Sequence, residues 1–136
     1  SEQEATIYKT VEGMKSLFEL MLREQKTIYV MSATGKAMKE MKSYFPQWHA
    51  QRVKQKVEAH ILFNEELKNK SITAIPLAKI KYLKKEQSSP ATVFIFGRYV
   101  ATLYWEQIPF AIVIQSYPIA KSYKNYFDII WGSAFC

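Results

Sequence analysis

Two apolar runs rich in β-branched and aromatic residues, Pro90–Phe96 and Tyr99–Trp105, flank the dipeptide Gly97-Arg98. That pattern predicts a β-hairpin, with glycine supplying the positive φ of a tight two-residue turn. A third run, Phe110–Ser116, follows after Glu106–Pro109. All three are apolar at nearly every position instead of alternating. They are therefore expected as strands buried on both faces, in the middle of a sheet covered by helices.

The rest of the chain supplies what would flank such a sheet. Ala5–Lys9 reads as a short first strand. Thr10 is placed to cap a helix in which Val11, Met14, Leu17, Phe18, Met21 and Leu22 recur at helical spacing. Lys26–Met31 is a second strand, closed by Ser32-Ala33-Thr34-Gly35. A helical region spans about 36–56, broken in two by Pro46, with Phe45 expected outside the α region. Val57–Asn64 is a third strand, followed by a helical turn through Glu65, Glu66 and Leu67. Lys79–Leu83 alternates cleanly and reads as a strand at the sheet edge. Pro118 suits the start of a last helix with a wide apolar stripe from Ile119 to Ala134. The order β-α-β-α-β-α-β-β-β-β-α implies parallel early strands and a mixed sheet once the hairpin joins. One domain over residues 1–136 accommodates it, since no linker or repeat divides the chain.

Bulk properties exclude several classes. Hydrophobic content of 49% with 15% aromatic residues is far from disorder. No apolar run approaches the roughly 18 residues of a membrane span, and no secretory leader pattern is visible. The one cysteine, Cys136, has no partner for a disulfide and fits an intracellular protein. A cytoplasmic domain without membrane association is expected. The net charge of +7 concentrates in Lys36, Lys39, Lys42, Arg52, Lys54 and Lys56, opposed only by Glu40, and in Lys79, Lys81, Lys84 and Lys85. A solvated face explains this most simply; a nucleic-acid-binding basic domain is the alternative.

Catalytic motifs are sparse. His49 and His60 lack cysteine or carboxylate companions at ligand spacing, so neither a metal site nor a cofactor is expected. Phosphate-cradling glycine loops and nucleophile elbows are missing from the sequence. Trp48, His49 and Arg52 are better placed on one helical segment, where indole, imidazole and guanidinium can hold a sugar or a carboxylate. Open α/β sheets bind ligands at the carboxyl ends of parallel strands. Ser32 and Asn64 end strands there, Glu65 follows, and Trp105 and Glu106 close the hairpin at one edge or the other.

The collinear set Tyr8-x4-Gly13-Met14-Lys15, Trp48-His49-x2-Arg52, Ile61–Glu65, Pro90…Gly97, Pro109–Ile114 and Tyr123-x2-Tyr126-Phe127-x3-Trp131 resembles the C-terminal effector domain of TrmB-type archaeal sugar-responsive transcriptional regulators. The resemblance spans nearly all of residues 5–135. It implies a phospholipase-D-like fold, in which the catalytic strand carries His-x-Lys-x4-Asp. Laid on this hairpin, that motif puts Pro90 at the His position, Thr92 at the Lys position and Gly97 at the Asp position. Proline is no nucleophile and threonine carries no charge for a phosphate, so the expectation is a non-enzymatic domain. By resemblance its partners are a small-molecule effector such as a sugar, a second copy in a homodimer, and DNA through a winged helix that these residues do not include. Effector-binding candidates are Ser32, Trp48, His49, Arg52, Asn64, Glu65, Trp105 and Glu106. A diverged phosphodiesterase using His49, Glu65 or Glu106 is a further alternative.

Overall fold

A computed structural model describes residues 2–136. Seven strands form one mixed sheet in the order β1-β7-β6-β5-β2-β3-β4. They are β1 (Glu4–Lys9), β2 (Ile28–Ala33), β3 (Ala59–Asn64), β4 (Ala78–Leu83), β5 (Thr92–Phe96), β6 (Tyr99–Tyr104) and β7 (Phe110–Gln115). β2, β3 and β4 run parallel, whereas β5, β6, β7 and β1 join antiparallel neighbours in succession. The hairpin is as expected: Phe96 pairs with Tyr99, and Gly97 turns the chain at φ 57°. β4 lies at the edge.

Helices cover both faces. On one lie α1 (Thr10–Glu24), α2 (Lys36–Glu40) and α3 (Tyr44–Lys54); α4 (Tyr117–Ser133) crosses the other. The α1 stripe is buried as its spacing requires, with Met14, Leu17, Phe18 and Met21 fully covered. The Thr10 hydroxyl accepts the Gly13 N–H at 3.3 Å. α4 begins one residue before Pro118, capped by Ser116, whose hydroxyl accepts the Ile119 N–H.

Two expectations need correction. The break in the 36–56 region falls at Met41–Ser43, and Phe45 is helical. A proline ring inside a helix clashes with the carbonyl four residues earlier, which here is that of Lys42. Restarting the helix at Tyr44 puts Pro46 in the first turn, where a missing N–H costs nothing. The Phe45 ring then packs edge-on against Phe18 and stacks on Trp48.

β7 is not buried on both faces. Its Ala111 and Val113 are covered, but Ile112 is 40% exposed, and its partner Ile7 on β1 is 59% exposed. Seven strands spaced about 4.8 Å apart are wider than one helix can roof. α4 packs mainly over β5 and β6, touches β2 and β7 less, and leaves Ile7 and Ile112 open.

Candidate functional site

The carboxyl ends of β2 and β3 meet the amino end of β5 and the carboxyl end of β6, because β6 runs parallel to β2. Trp105 therefore comes to the same edge as Ser32 and Asn64. Here β2 bulges: Ser32 sits at φ 62°, a left-handed conformation that a Cβ disfavours. Its hydroxyl lies 2.7 Å from Asn64 Oδ1 and 2.8 Å from the Ser89 carbonyl, and it accepts the Ser89 N–H at 2.8 Å. Thr92, buried beside it, donates its hydroxyl to the Ser32 carbonyl at 2.9 Å. These side chains pin the bulge to the loop before β5. Their polar groups are occupied with one another.

Next to this cluster, between the sheet and α2–α3, is a cavity of about 60 Å³. Val30, Ile61, Phe63 and Phe94 form its sheet wall, and Phe45, Trp48 and His49 its helical wall. Thr34, Gly35, Lys36 and Trp105, all at least partly exposed, surround its outer end. Gly35 suits its place on two counts, the backbone more than the space. Its φ is 83°, and a Cβ there would stand 2.6 Å from Ile72 Cδ1.

Behind His49 stands Arg52, which is fully buried. Its Nη1 donates to the carbonyls of Val57 at 2.7 Å and Leu77 at 3.0 Å, and its Nη2 to that of Pro76. The guanidinium thus clamps the chain entering β3 to the chain entering β4. No carboxylate pairs with it among the described residues. Its remaining Nε–H donates to His49 Nδ1 at 3.2 Å. An imidazole nitrogen that accepts a hydrogen bond carries no proton, so the ring is neutral and its proton resides on Nε2. Burial, and then the neighbouring Arg52 charge, push the His49 pKa down to about 4. That Nε2–H has no partner. A buried donor left unpaired costs about 1–3 kcal/mol.

Trp48, His49 and Trp105 are thus brought together around one cavity, with Arg52 behind His49 and outside the lining. Trp48 also donates its indole N–H to the Phe18 carbonyl at 2.8 Å, which fixes its ring. Ser32 and Asn64 stand at the edge as a structural cluster. Glu65 looks into a separate open groove with Lys68 and Lys85, and Glu106 is exposed. Arg52 is no part of a solvated basic face, because its charge is used inside. Thr34, Phe45 and Ile75 line the cavity without having been singled out in the sequence, where they look like ordinary loop and helix residues. Thr92 marks one end of β5; Gly97, at the far end, is about 16 Å away along the strand. Among the described residues no three His, Cys, Asp or Glu side chains group as metal ligands.

Comparison with solved structures assigns the architecture. The chain is similar to TrmBL2, described as an archaeal chromatin protein showing a novel mode of DNA binding, with a TM-score of 0.68 at 12% identity. That match covers 96% of this chain and 53% of TrmBL2, so the chain spans about half the length of that relative. It is also similar to Nuc from Salmonella typhimurium, a phospholipase D family member (TM-score 0.67, 16% identity, 98% of this chain and 97% of Nuc). NucT from Helicobacter pylori aligns with a TM-score of 0.64 at 12% identity, over 98% of this chain and 99% of NucT. The fold is the phospholipase-D-like α/β fold. No protein-family model matches the sequence, and no curated protein matches it significantly.

Proposed function

We propose that this is a regulatory domain of a TrmB-like transcriptional regulator, one that binds a small effector and pairs with a second copy but catalyses no phosphoryl transfer. The observation that carries the reading is the fate of the strand end where the fold's enzymes keep their motif. Pro90 is exposed in a bend, and the Thr92 hydroxyl is committed to the Ser32 carbonyl. Neither a nucleophile nor a cation stands at those positions. The similarity to TrmBL2 over nearly the whole chain supports a setting in DNA-associated regulation.

The open flank of the sheet supports self-association. Ile7 and Ile112 are cross-strand partners, and Tyr104 stacks on Phe110 beside them, on the face that α4 leaves uncovered. Contiguous exposed apolar surface of this kind favours burial against another apolar face.

The test is a pair of measurements on the chain. Hydrolysis of bis(p-nitrophenyl) phosphate and nicking of duplex DNA are expected to stay at background, and turnover that follows the protein through purification would overturn the non-enzymatic reading. Sedimentation is expected to show a dimer that Ile112→Lys converts to monomer. A thermal-shift screen against sugars, sugar phosphates and nucleotides then seeks the effector; a ligand at 100 times its dissociation constant adds about 2.7 kcal/mol. Shifts with duplex DNA alone, lost at moderate salt, would favour the basic-domain alternative instead.

A further inference from the structure

We propose that the outer edge of β4 docks an extended protein segment that alternates acidic and β-branched residues and joins the sheet antiparallel to β4. This goes beyond the regulatory reading and involves neither the cavity nor the open flank at β1 and β7.

β4 is paired along one side only. The Leu77 carbonyl accepts the Ala59 N–H at 3.2 Å, which turns Leu77 toward β3 and, by the two-residue repeat of a strand, Lys79 and Lys81 as well. Tyr82 turns the other way. Its N–H donates to the Phe135 carbonyl at 2.7 Å, and its carbonyl accepts the Phe135 N–H at 3.1 Å. Ala78 and Ile80 are in phase with Tyr82, so their N–H and C=O groups point to the same outer edge. No group among the described residues meets them there. The segment through Phe135 meets β4 in one antiparallel bridge, so the edge is engaged at Tyr82 and open from Ile80 back to Ala78.

The two sides of this strip differ in chemistry. Ala78 and Ile80 are half-buried against the core under α1–α3. Lys79 and Lys81 alternate with them and stand on the α4 side, where the Lys81 ammonium donates to the Trp131 carbonyl. The Lys79 side chain is 67% exposed; Glu58 lies 3.7 Å from it but is held at 2.7 Å by His60. Lys84 and Lys85 follow, both exposed.

A strand laid on this edge sets alternate side chains beside Lys79 and Lys81 and the others beside Ala78 and Ile80. Opposite charges across such a pair are favourable and like charges are not. Acidic residues therefore suit the first set, and β-branched residues the second. The same rule bars a second copy of β4. Antiparallel pairing centred on Ile80 would set Lys79 against Lys81 of the other copy. Edge lysines guard against sheets joining in this way, yet they leave the backbone groups open to a segment of opposite charge. In such docking the main chain supplies affinity and alternate side chains supply selectivity.

The probe is a fluorescein-labelled peptide alternating glutamate and valine, read by anisotropy with the full chain at pH 7 and physiological salt. Saturable binding is expected, with slowed amide exchange at Ala78 and Ile80 in NMR spectra. In antiparallel register the valine amides face β4 and the glutamate amides face away. N-methylation at the valines should therefore weaken binding about tenfold, and N-methylation at the glutamates should spare it. Ile80→Pro removes an outward N–H while leaving the bonds to β3, and should also weaken binding about tenfold. If circular dichroism shows that this variant unfolds, Lys79→Glu replaces it, with the same loss expected. Equal binding by the valine-methylated peptide, with no edge amide protected, means that the lysines attract polyanions in general, single-stranded nucleic acid included, and overturns the proposal. Failure of the unmodified peptide to bind at about 1 mM overturns it too.

Discussion

Acidification should unfold this domain in a window set by one buried ring. His49 is neutral in the folded chain because Arg52 Nε–H occupies its Nδ1 and because protein surrounds it. Its pKa drops to about 4 from an ordinary value near 6.5. A group with a depressed folded pKa that must stay neutral leaves the unfolded chain binding more protons below pH 6.5. Stability therefore falls as pH drops from about 6.5 toward 4, and levels off below that. Each pH unit inside the window is worth about 1.4 kcal/mol, so going from pH 7 to pH 5 should remove about 2 kcal/mol. Most of that interval lies above the range where carboxylates titrate, which isolates the effect. Urea denaturation at the two pH values, in wild type and in His49→Gln, measures it. His60→Gln is the control, since His60 contacts Glu58 near the surface and not Arg52. Following His49 Cε1–H by NMR gives a readout that needs no variant to fold. A midpoint near 6.5 for that proton, or equal loss of stability in wild type and His49→Gln, would falsify the neutral-ring assignment.

Arg52→Met should be among the most damaging single changes, because it strands the carbonyls of Val57, Leu77 and Pro76 in the interior. A loss of at least about 3 kcal/mol is expected in urea denaturation, and Arg52→Lys should recover only part of it, since an ammonium cannot fork to three carbonyls and His49 together. At Ser32 two effects oppose each other. Ser32→Ala forfeits the hydroxyl's bonds and keeps the strained φ, whereas Ser32→Gly forfeits the bonds but relaxes the backbone. Glycine should therefore be the milder change by about 1 kcal/mol, and thermal melts of the two variants rank them. Gly35→Ala should cost about 1–2 kcal/mol through its positive φ and the approach of Ile72, with the Ile72→Ala background removing the steric part in a double-mutant cycle.

How far the sequence carried depended on the kind of signal. The hairpin at Gly97-Arg98, the edge strand at Lys79–Leu83 and the stripe of α1 were legible because periodicity and turn chemistry act over a few neighbouring residues. Apolar character without alternation identified the C-terminal strands, yet it overstated the cover on β7. Sequence reports what a strand can bury, not whether a helix is wide enough to reach it. Pro46 forced a break, but the same sterics placed that break upstream of where a pre-proline rule puts it. In the candidate site, Trp48, His49 and Arg52 stood out by their spacing. Their division of labour did not, since an exposed cationic helix face and a buried clamp have the same sequence.

The sequence by itself determined a mixed α/β sheet and the Gly97-Arg98 turn that closes its hairpin. Those properties reside in local backbone preference and in residue identity. Only the tertiary structure decided that Trp105 joins Ser32 and Asn64 at one edge, that Arg52 faces inward to hold β3 against β4, and that His49 is buried with one N–H unpaired. Each of these depends on contacts between segments far apart in the chain, and on which nitrogen of a ring a distant guanidinium happens to meet.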